Sequence, residues 1–462
     1  MLFGELRFLL FFLGVLAVHW ALPRNSWRKY WLLFTSYVFY GAWDWRFLAL
    51  IGGSTLVDYF CGLALGRADG RGLRRLILLL SLVVNLGALA VFKYYDFFAE
   101  SLNALLQRFG VDAGMHTLGL VLPVGISFYT FQTLSYTISV FRRESEVCRD
   151  LRDFALYVAF FPQLVAGPIV RSSDFLPQLE STRGVLDPKY RPLLFLFLAG
   201  FVKKYCIADN LAPFVDPVFA DPAQHGAATL WTSAAAYYTQ IYCDFSGYSD
   251  MAIATAGMLG YRLPLNFAFP MLATSVTSAW RRWHISLSSW FRDYLYIPLG
   301  GNRRGALRTS VNLWIVFLLC GLWHGANWTF IVWGAIHGLF LVIERTTPAR
   351  RWFEASPLGL IPTQLVFMLA FVVFRASDLP TAGAFLGGLF GSGPEGSLED
   401  LRTCLTILGV FLVGHVIAYR RIGYAFVERI DPRLQDVLLG AAAALALPFA
   451  ANAYEAFIYF QF

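Results

Sequence analysis

One histidine of the chain, His324, has neighbours that suit a chemical role. It lies within the long apolar stretch 311–343, in the segment Trp323-His324-Gly325-Ala326-Asn327-Trp328. An ionisable side chain at membrane depth costs about 2.5 kcal/mol or more when charged, so it usually faces the bundle interior and marks a site. The small residues leave room for a substrate, and the two tryptophans provide rigid walls. The alternative is a neutral core histidine bonded to a backbone carbonyl, which is the favoured interpretation of His337 and His415.

A second histidine, His284, is placed by helical periodicity. If residues 280–295 form one helix, steps of about 100° group the apolar side chains Trp280, Trp283, Leu287, Trp290, Phe291, Tyr294 and Leu295 in one sector. His284 falls inside this sector, and the polar residues of the segment occupy the opposite side. This pattern is typical of an amphipathic helix at the membrane interface. We expect the imidazole to face inward near His324, and a purely structural helix with a buried histidine is the alternative.

Two imidazoles alone do not make a metal site. Zinc takes three or four ligands, and no third histidine, cysteine or carboxylate stands at ligand spacing from either residue. Imidazole titrates near neutrality, so one ring can take the proton of a hydroxyl that attacks an acyl carbonyl. The second ring can orient the first or stabilise the oxyanion. The sequence lacks the GxSxG elbow of serine hydrolases and the phosphate-binding loop of ATP-driven pumps. These observations favour acyl transfer from an activated donor, without a bound cofactor.

A polar run, Asp244 to Asp250, interrupts the apolar stretch 228–260. Acidic and hydroxyl side chains at a glycine break inside a membrane segment indicate a cavity lining, and a loop between two short helices explains them equally well. Arginines at 281–308 suit a phosphorylated or carboxylated ligand, although charge that sets membrane topology accounts better for most of them. The candidate residues for substrate or donor binding are Asp244, Ser246, Asp250, Arg281, Arg282, Trp283, Trp323 and Asn327.

The composition indicates what kind of fold must position these residues. Of 462 residues, 57% are apolar and 15% are charged, whereas soluble domains carry about 25% charged residues. This balance argues against a soluble enzyme, a disordered chain and a fibrous protein, and it predicts a protein solvated by the lipid bilayer. The net charge of +7 lies in short basic clusters between apolar runs, so it predicts cytoplasmic loops and no nucleic-acid partner. Six cysteines without CxxC or CxxH spacing predict neither a zinc site nor a disulfide framework.

Apolar stretches long enough to cross a membrane recur along the whole chain. They predict an all-α, polytopic membrane protein with about ten to twelve membrane helices and re-entrant segments. Three basic clusters, near Arg28, Arg71 and Arg149, fall on one face, which the positive-inside rule makes cytoplasmic. The N-terminus and a loop at 96–117 then lie outside.

Two stretches do not fit simple membrane spans. Residues 154–170 are apolar with basic flanks and carry prolines and a glycine at 162–168, so a re-entrant segment and a short kinked span explain them equally well. The 33 residues of 311–343 would make about 50 Å of helix against a hydrocarbon core of about 30 Å. Glycines and an asparagine at 321–327 therefore predict a break into two short helices that both return to the cytoplasmic side.

Four motifs together resemble the membrane-bound O-acyltransferase family. They are Asp244 to Asp250, Arg281 to Ser288, Arg292 to Arg303, and Leu322 to Ala326. Within the family they are similar to the membrane subunit of bacterial alginate O-acetylation. The resemblance implies a single transmembrane domain of this family over residues 1–462, with the catalytic core at about 240–345. The family's invariant histidine then corresponds to His324 and its second polar position to His284, and the sequence departs from the pattern at neither.

The resemblance also implies a reaction and a location. Such proteins move an acetyl group from a cytoplasmic donor, acetyl-CoA, across the bacterial inner membrane to periplasmic acetyltransferase partners that modify an exopolysaccharide, here above all alginate. Coenzyme A is too polar to cross a bilayer, which agrees with its entry from the basic face. Peptidoglycan and cellulose O-acetylation use similar subunits, so the motifs do not distinguish the acceptor. A non-enzymatic transporter or scaffold for an acyl carrier is the rival from another functional class.

The sequence ends in the aromatic segment Phe457 to Phe462, which is similar to tails seen in such systems. The phenol of Tyr459 could accept an acetyl group and pass it on. An aromatic anchor at the membrane interface is the favoured alternative.

Overall fold

The computed structural model describes residues 3–111, 114–181, 184–186, 189–354, 356–422 and 429–450, and it is helical without strands across these ranges. The predicted all-α class is therefore confirmed. The chain divides into two compact units. The first comprises Met1–Tyr190 with Ala252–Pro264, and the second comprises Arg191–Met251 with Leu265–Phe462.

The first part of the chain folds into nine helices within the described ranges. They are α1 (Leu6–Ala21), α2 (Asn25–Gly41), α3 (Leu48–Arg67), α4 (Arg71–Leu89), α5 (Tyr95–Gln107), α6 (Ile126–Arg142), α7 (Leu151–Ala159), α8 (Phe161–Leu164) and α9 (Ser172–Glu180). A π-helical turn, Ala90–Tyr94, joins α4 and α5 into 37 continuous helical residues. The predicted loop at 96–117 was therefore wrong for residues 96–107, which are helical. Asp96 instead accepts hydrogen bonds from the backbone N–H groups of Leu118 and Gly119.

The remaining helices begin at Tyr190. They are α10 (Tyr190–Phe201), α11 (Asp209–Ala220), α12 (Ala227–Met258), α13 (Val276–Trp280), α14 (Ile285–Phe291), α15 (Ala306–His324), α16 (Trp328–Thr346), α17 (Ala349–Glu354), α18 (Leu360–Arg375), α19 (Leu379–Gly388), α20 (Leu398–Tyr419) and α21 (Pro432–Ala446). Six helical stretches of the described chain are long and apolar enough to cross a membrane. They are Trp45–Arg67, Arg71–Gln107, Ala306–His324, Trp328–Thr346, Pro357–Arg375 and Leu398–Tyr419.

The segment 154–170 fits the re-entrant interpretation. Helix α7 has 9 residues, about 14 Å of helix, which is half of what the hydrocarbon core requires. The backbone groups freed where the helix breaks are bonded inside the first unit. The carbonyl of Tyr157 accepts from the amides of Gln132 and Gln163 at 2.7 and 2.8 Å, and the N–H of Phe161 donates to the Ser36 hydroxyl at 3.1 Å. Buried partners of this kind permit irregular backbone at membrane depth.

The break predicted within 311–343 is confirmed, but the two helices are not short, because each has 19 residues and is long enough to cross a membrane. Helix α15 ends at His324 and α16 begins at Trp328, so the two form a hairpin. Glycines let their backbones touch, because a β-carbon at Gly321 would collide with the carbonyl of Phe330, and one at Gly334 would collide with the carbonyl of Phe317. We name this contact the glycine seam.

We predict that Gly321→Ala destabilises the protein by about 1–3 kcal/mol, because the added methyl forces two backbones apart. Gly87→Ala in α4 is the matched control, since a β-carbon there meets no atom within 4 Å and alanine is the better helix former. Thermal unfolding of the detergent-purified protein measures both effects. Equal midpoints for Gly321→Ala and the unsubstituted chain would contradict the glycine seam.

Candidate functional site

The backbone turns sharply at His284. The predicted continuous helix over 280–295 was wrong, because α13 ends at Trp280 and α14 begins at Ile285, and a π-helical turn follows at Arg292–Tyr296. His284 has φ of 42°, in the left-handed region that residues other than glycine rarely adopt. A single helix over 280–295 was therefore the wrong basis for the prediction. The predicted inward orientation of His284 is nevertheless confirmed, because its side chain is buried.

Two buried residues bind the backbone around this turn, Asn266 directly after it and Glu344 at the start of the preceding α13. The Asn266 carbonyl accepts from the N–H of Ile285 at 2.9 Å, and its side-chain oxygen accepts from the Ser286 hydroxyl at 2.9 Å. The carboxylate of Glu344, on α16, accepts from the N–H groups of Val276 and Thr277 at 2.5 and 2.9 Å. Sequence analysis missed both Asn266 and Glu344, because neither stands in a pattern that points to a distant backbone partner.

The imidazole of His284 is fully buried. Its ring centroid lies 4.6 Å from that of Phe245 and 5.9 Å from that of Trp323. Burial lowers the pKa of His284 from 6.5 to about 3, since a protonated ring would lose its hydration. A lowered pKa leaves the ring neutral at physiological pH, so it carries one N–H donor and one acceptor nitrogen.

His324 is the last residue of α15 and is also buried. Its ring centroid lies 5.0 Å from Trp323, 4.9 Å from Trp333 and 5.3 Å from Phe374. Trp323 therefore contacts the rings of both histidines. The two residues that the sequence singled out thus share the indole of Trp323 as a ring neighbour.

The other aromatic and amide candidates have packing or capping roles. Trp283 is buried among rings of the second unit, with centroids 5.3 Å from Phe267 and 5.1 Å from Phe371. Asn327 caps α16, where its oxygen accepts from the N–H of Thr329 at 3.1 Å and its amide donates to the Ser377 carbonyl at 2.8 Å. Both polar ends of Asn327 are thus engaged within the protein.

The arginine candidates lie nearer the surface than the histidines. Arg281 is exposed and Arg282 is half-buried. Arg303, Arg304 and Arg308 are also exposed, at the start of α15 and therefore at the opposite end of that helix from His324. These 19 residues make about 28 Å of helix.

The polar run Asp244 to Asp250 does not break its helix. Helix α12 is continuous through it, so the predicted glycine break, and with it the loop between two short helices, was wrong. Gly247 instead permits close packing, because a β-carbon there would lie 2.6 Å from the carbonyl of Gly200 on α10.

The acidic side chains of this run bind two lysines that sequence analysis missed. Lys204 contacts Asp244 at 2.5 Å and Asp209 at 2.8 Å, with all three side chains at most 3% exposed. Lys203 contacts the carboxylate of Asp250 at 2.5 Å and donates to the Ser246 hydroxyl at 3.1 Å. Both lysines lie on the π-helical turn Val202–Ala208. Two adjacent lysines inside the apolar run 193–210 were the available signal, since a buried charge requires a partner.

The described residues contain no group of three histidine, cysteine or acidic side chains that could hold a metal ion. The six cysteines are free thiols. The proposed relay residue Tyr459 lies outside the residues that the structure describes.

Comparisons with known proteins agree with the sequence motifs. Residues 141–360 match the family model described as the membrane-bound O-acyltransferase family. The chain is 40% identical to a probable alginate O-acetylase of Pseudomonas putida over 100% of both proteins. It is 43% identical to a probable alginate O-acetylase of Pseudomonas aeruginosa over 91% of this chain and 80% of that protein. It is also 36% identical to a peptidoglycan O-acetyltransferase of Helicobacter pylori over 82% of this chain and 77% of that protein.

Proposed function

The chain belongs to the membrane-bound O-acyltransferase family, and we propose that it transfers acetyl groups from cytoplasmic acetyl-CoA for O-acetylation of an exopolysaccharide, above all alginate. Family membership makes it a multi-pass membrane O-acyltransferase, which argues against the passive transporter or scaffold. The observation that carries the proposal is the pair of buried imidazoles, His284 and His324, whose rings both contact Trp323.

The chemistry requires one base and one oxyanion partner. In the proposed reaction, His324 takes the proton from the acceptor hydroxyl while the hydroxyl oxygen attacks the thioester carbonyl. His284 orients His324 or stabilises the oxyanion that forms. The C–S bond then breaks, and the proton passes from His324 to the departing thiolate, which gives an ester and free coenzyme A. Aromatic rings around both histidines exclude water, which would otherwise hydrolyse the thioester.

The charge distribution supports a phosphorylated donor. Arg303, Arg304 and Arg308 are exposed at the start of α15, where guanidinium groups can pair with the phosphates of coenzyme A. His324 ends the same helix, about 28 Å away. A donor site at one end of α15 and a catalytic base at the other suit transfer of an acetyl group across the inner membrane.

The acceptor and the partners are proposed from the relatives. The relatives named as probable alginate O-acetylases are 40–44% identical to this chain, against 36% for the peptidoglycan enzyme. Alginate is therefore the favoured acceptor, with peptidoglycan second. We propose that periplasmic acetyltransferase proteins receive the acetyl group and complete its transfer to the polysaccharide.

Release of coenzyme A tests the proposal directly. The purified full-length chain in detergent, given radiolabelled acetyl-CoA and a short alginate oligosaccharide, should release coenzyme A and accumulate labelled acetyl ester once the partner proteins are added. Peptidoglycan fragments serve as the competing acceptor. Acetyl-CoA that stays intact with both acceptors and all partners would overturn the proposed donor.

We predict that His284→Asn lowers the rate of acetyl transfer by about 10² to 10³-fold, the range seen when an oxyanion donor is removed. Asparagine tolerates the left-handed backbone at this position better than most residues do, so the protein should remain folded. The measurement is kcat per folded protein, with thermal unfolding as the check on structure. An unchanged kcat would assign His284 a structural role only.

A further inference from the structure

A cavity of about 550 Å³ opens in the first unit, among residues that the proposed reaction does not use. It lies between α2 and α3, with the start of α7 as its third wall. Its volume falls within the range of about 300–1,000 Å³ that is typical of ligand sites. Tyr30 and Leu56 on its rim are exposed, at 59% and 44%, so the opening faces the surface that a membrane protein presents to lipid.

One end of the cavity is polar and the rest is apolar. Arg152 lies at the polar end, where its guanidinium carbon is 4.9 Å from the centroid of the Tyr30 ring. Tyr37 also lines the cavity. It follows Tyr30 by seven residues on α2, so the cavity extends along about 10 Å of this helix. Leu33, Leu56 and Ala155 line the space as well. A hydrocarbon chain can pack against these apolar side chains, and a polar headgroup can bind at the end of the cavity where Arg152 lies.

The charges at the polar end are balanced. The Arg152 guanidinium contacts Asp150 at 2.6 Å and Asp153 at 3.1 Å, and Lys29 contacts Asp153 at 2.6 Å. These two cations and two carboxylates balance one another, so a headgroup that carries both charges can pair with both kinds of group. The Asp150 carboxylate is 47% exposed and can accept from an ammonium group. The contacts of Arg152 use its Nε and Nη2 atoms, which leaves Nη1 for a phosphate oxygen.

We propose that this cavity binds a zwitterionic glycerophospholipid with a primary ammonium headgroup, namely phosphatidylethanolamine. Its phosphate pairs with Arg152, its ammonium donates to Asp150, and one acyl chain lies between α2 and α3 past Gly52. Phosphatidylcholine lacks the ammonium N–H donors, and phosphatidylglycerol lacks the cation, so neither matches both charged groups. The bound lipid completes the packing of α7 against α2 and α3.

Two adjacent glycines of α3 provide the test. Gly52 lines the cavity and Gly53 is exposed, and a β-carbon at either position meets no atom within 4 Å. Gly52→Phe should therefore fill the cavity without distorting the helix, and Gly53→Phe is the matched control. Native mass spectrometry of the delipidated full-length protein, with equal amounts of the three lipids added, should show phosphatidylethanolamine adducts in the unsubstituted chain and in Gly53→Phe. We expect about tenfold fewer adducts in Gly52→Phe. Equal adducts in both phenylalanine variants would place the lipid elsewhere and overturn the proposal.

A second variant tests the headgroup. Asp150 also caps α7 by accepting from the N–H of Arg152 at 2.9 Å, and asparagine preserves that cap while it removes the charge. Asp150→Asn should lower the preference for phosphatidylethanolamine over phosphatidylglycerol by about tenfold, because a charge-assisted hydrogen bond is lost. An unaltered preference, or phosphatidylglycerol as the favoured lipid of the unsubstituted chain, would overturn the headgroup assignment.

Discussion

Replacing His324 by alanine is expected to lower the rate of coenzyme A release by about 10² to 10⁴-fold, the usual contribution of a general base. The physical reason is that a hydroxyl cannot attack a thioester efficiently unless its proton is removed as the bond forms. The protein should remain folded, because α15 ends at this residue and alanine is compatible with a helix terminus. The measurement is kcat per folded protein, with binding of a non-hydrolysable acetyl-CoA analogue measured separately.

His337 provides the matched control. It is a buried imidazole on the other arm of the same hairpin, and its Nδ1 accepts from the indole N–H of Trp280 at 3.3 Å. His337→Gln should cost stability, because that acceptor is displaced, while kcat per folded protein changes little. If His337→Gln and His324→Ala reduce kcat equally, the loss reflects disturbed aromatic packing and His324 is not the base.

The largest effect on stability is expected from Lys204→Met. This substitution leaves the carboxylates of Asp209 and Asp244 buried without their cation, and loss of one partner from a buried ion pair costs about 3–5 kcal/mol. Thermal unfolding and the yield of monodisperse protein after purification measure the effect.

Lys203→Met is the control for this network. Its pair with Asp250 is partly accessible, with side chains 21% and 16% exposed, so water can compensate for the lost charge and the destabilisation should be smaller. The double variant Lys204→Met with Asp244→Asn should recover part of the stability, since it removes the charge of one of the two carboxylates that Lys204 contacts. If the two lysine variants unfold at the same temperature, the buried network does not stabilise the fold as the geometry indicates.

The hairpin was predictable because its signals are local. The stretch 311–343 is too long for one span, and Gly321, Gly325 and Asn327 lie near its middle. The glycines and the capping asparagine act on the backbone next to them, so residue type alone located the break and with it the position of His324. The Pro and Gly residues at 162–168 indicated an interrupted helix in this segment for the same reason.

The turn at His284 was not predictable, because distant residues impose it. Arg281 to His284 contain no glycine, proline or asparagine, and the left-handed conformation depends on bonds from Asn266. The interpretation of Gly247 was wrong for a similar reason. It looked like a helix break, yet its role is to admit the backbone of Gly200, which is a nonlocal contact that the sequence does not display.

The glycine seam also constrains how the enzyme can move. Where two backbones touch at Gly321 and Gly334, no side chains lie between them that could change rotamer and let one helix slide along the other. Helices α15 and α16 should therefore travel as a single rigid body that carries His324 at its tip. Phe374 at the end of α18 contacts His324 from outside this rigid body, with ring centroids 5.3 Å apart, so the surroundings of His324 can change only through motion of neighbouring elements such as α18.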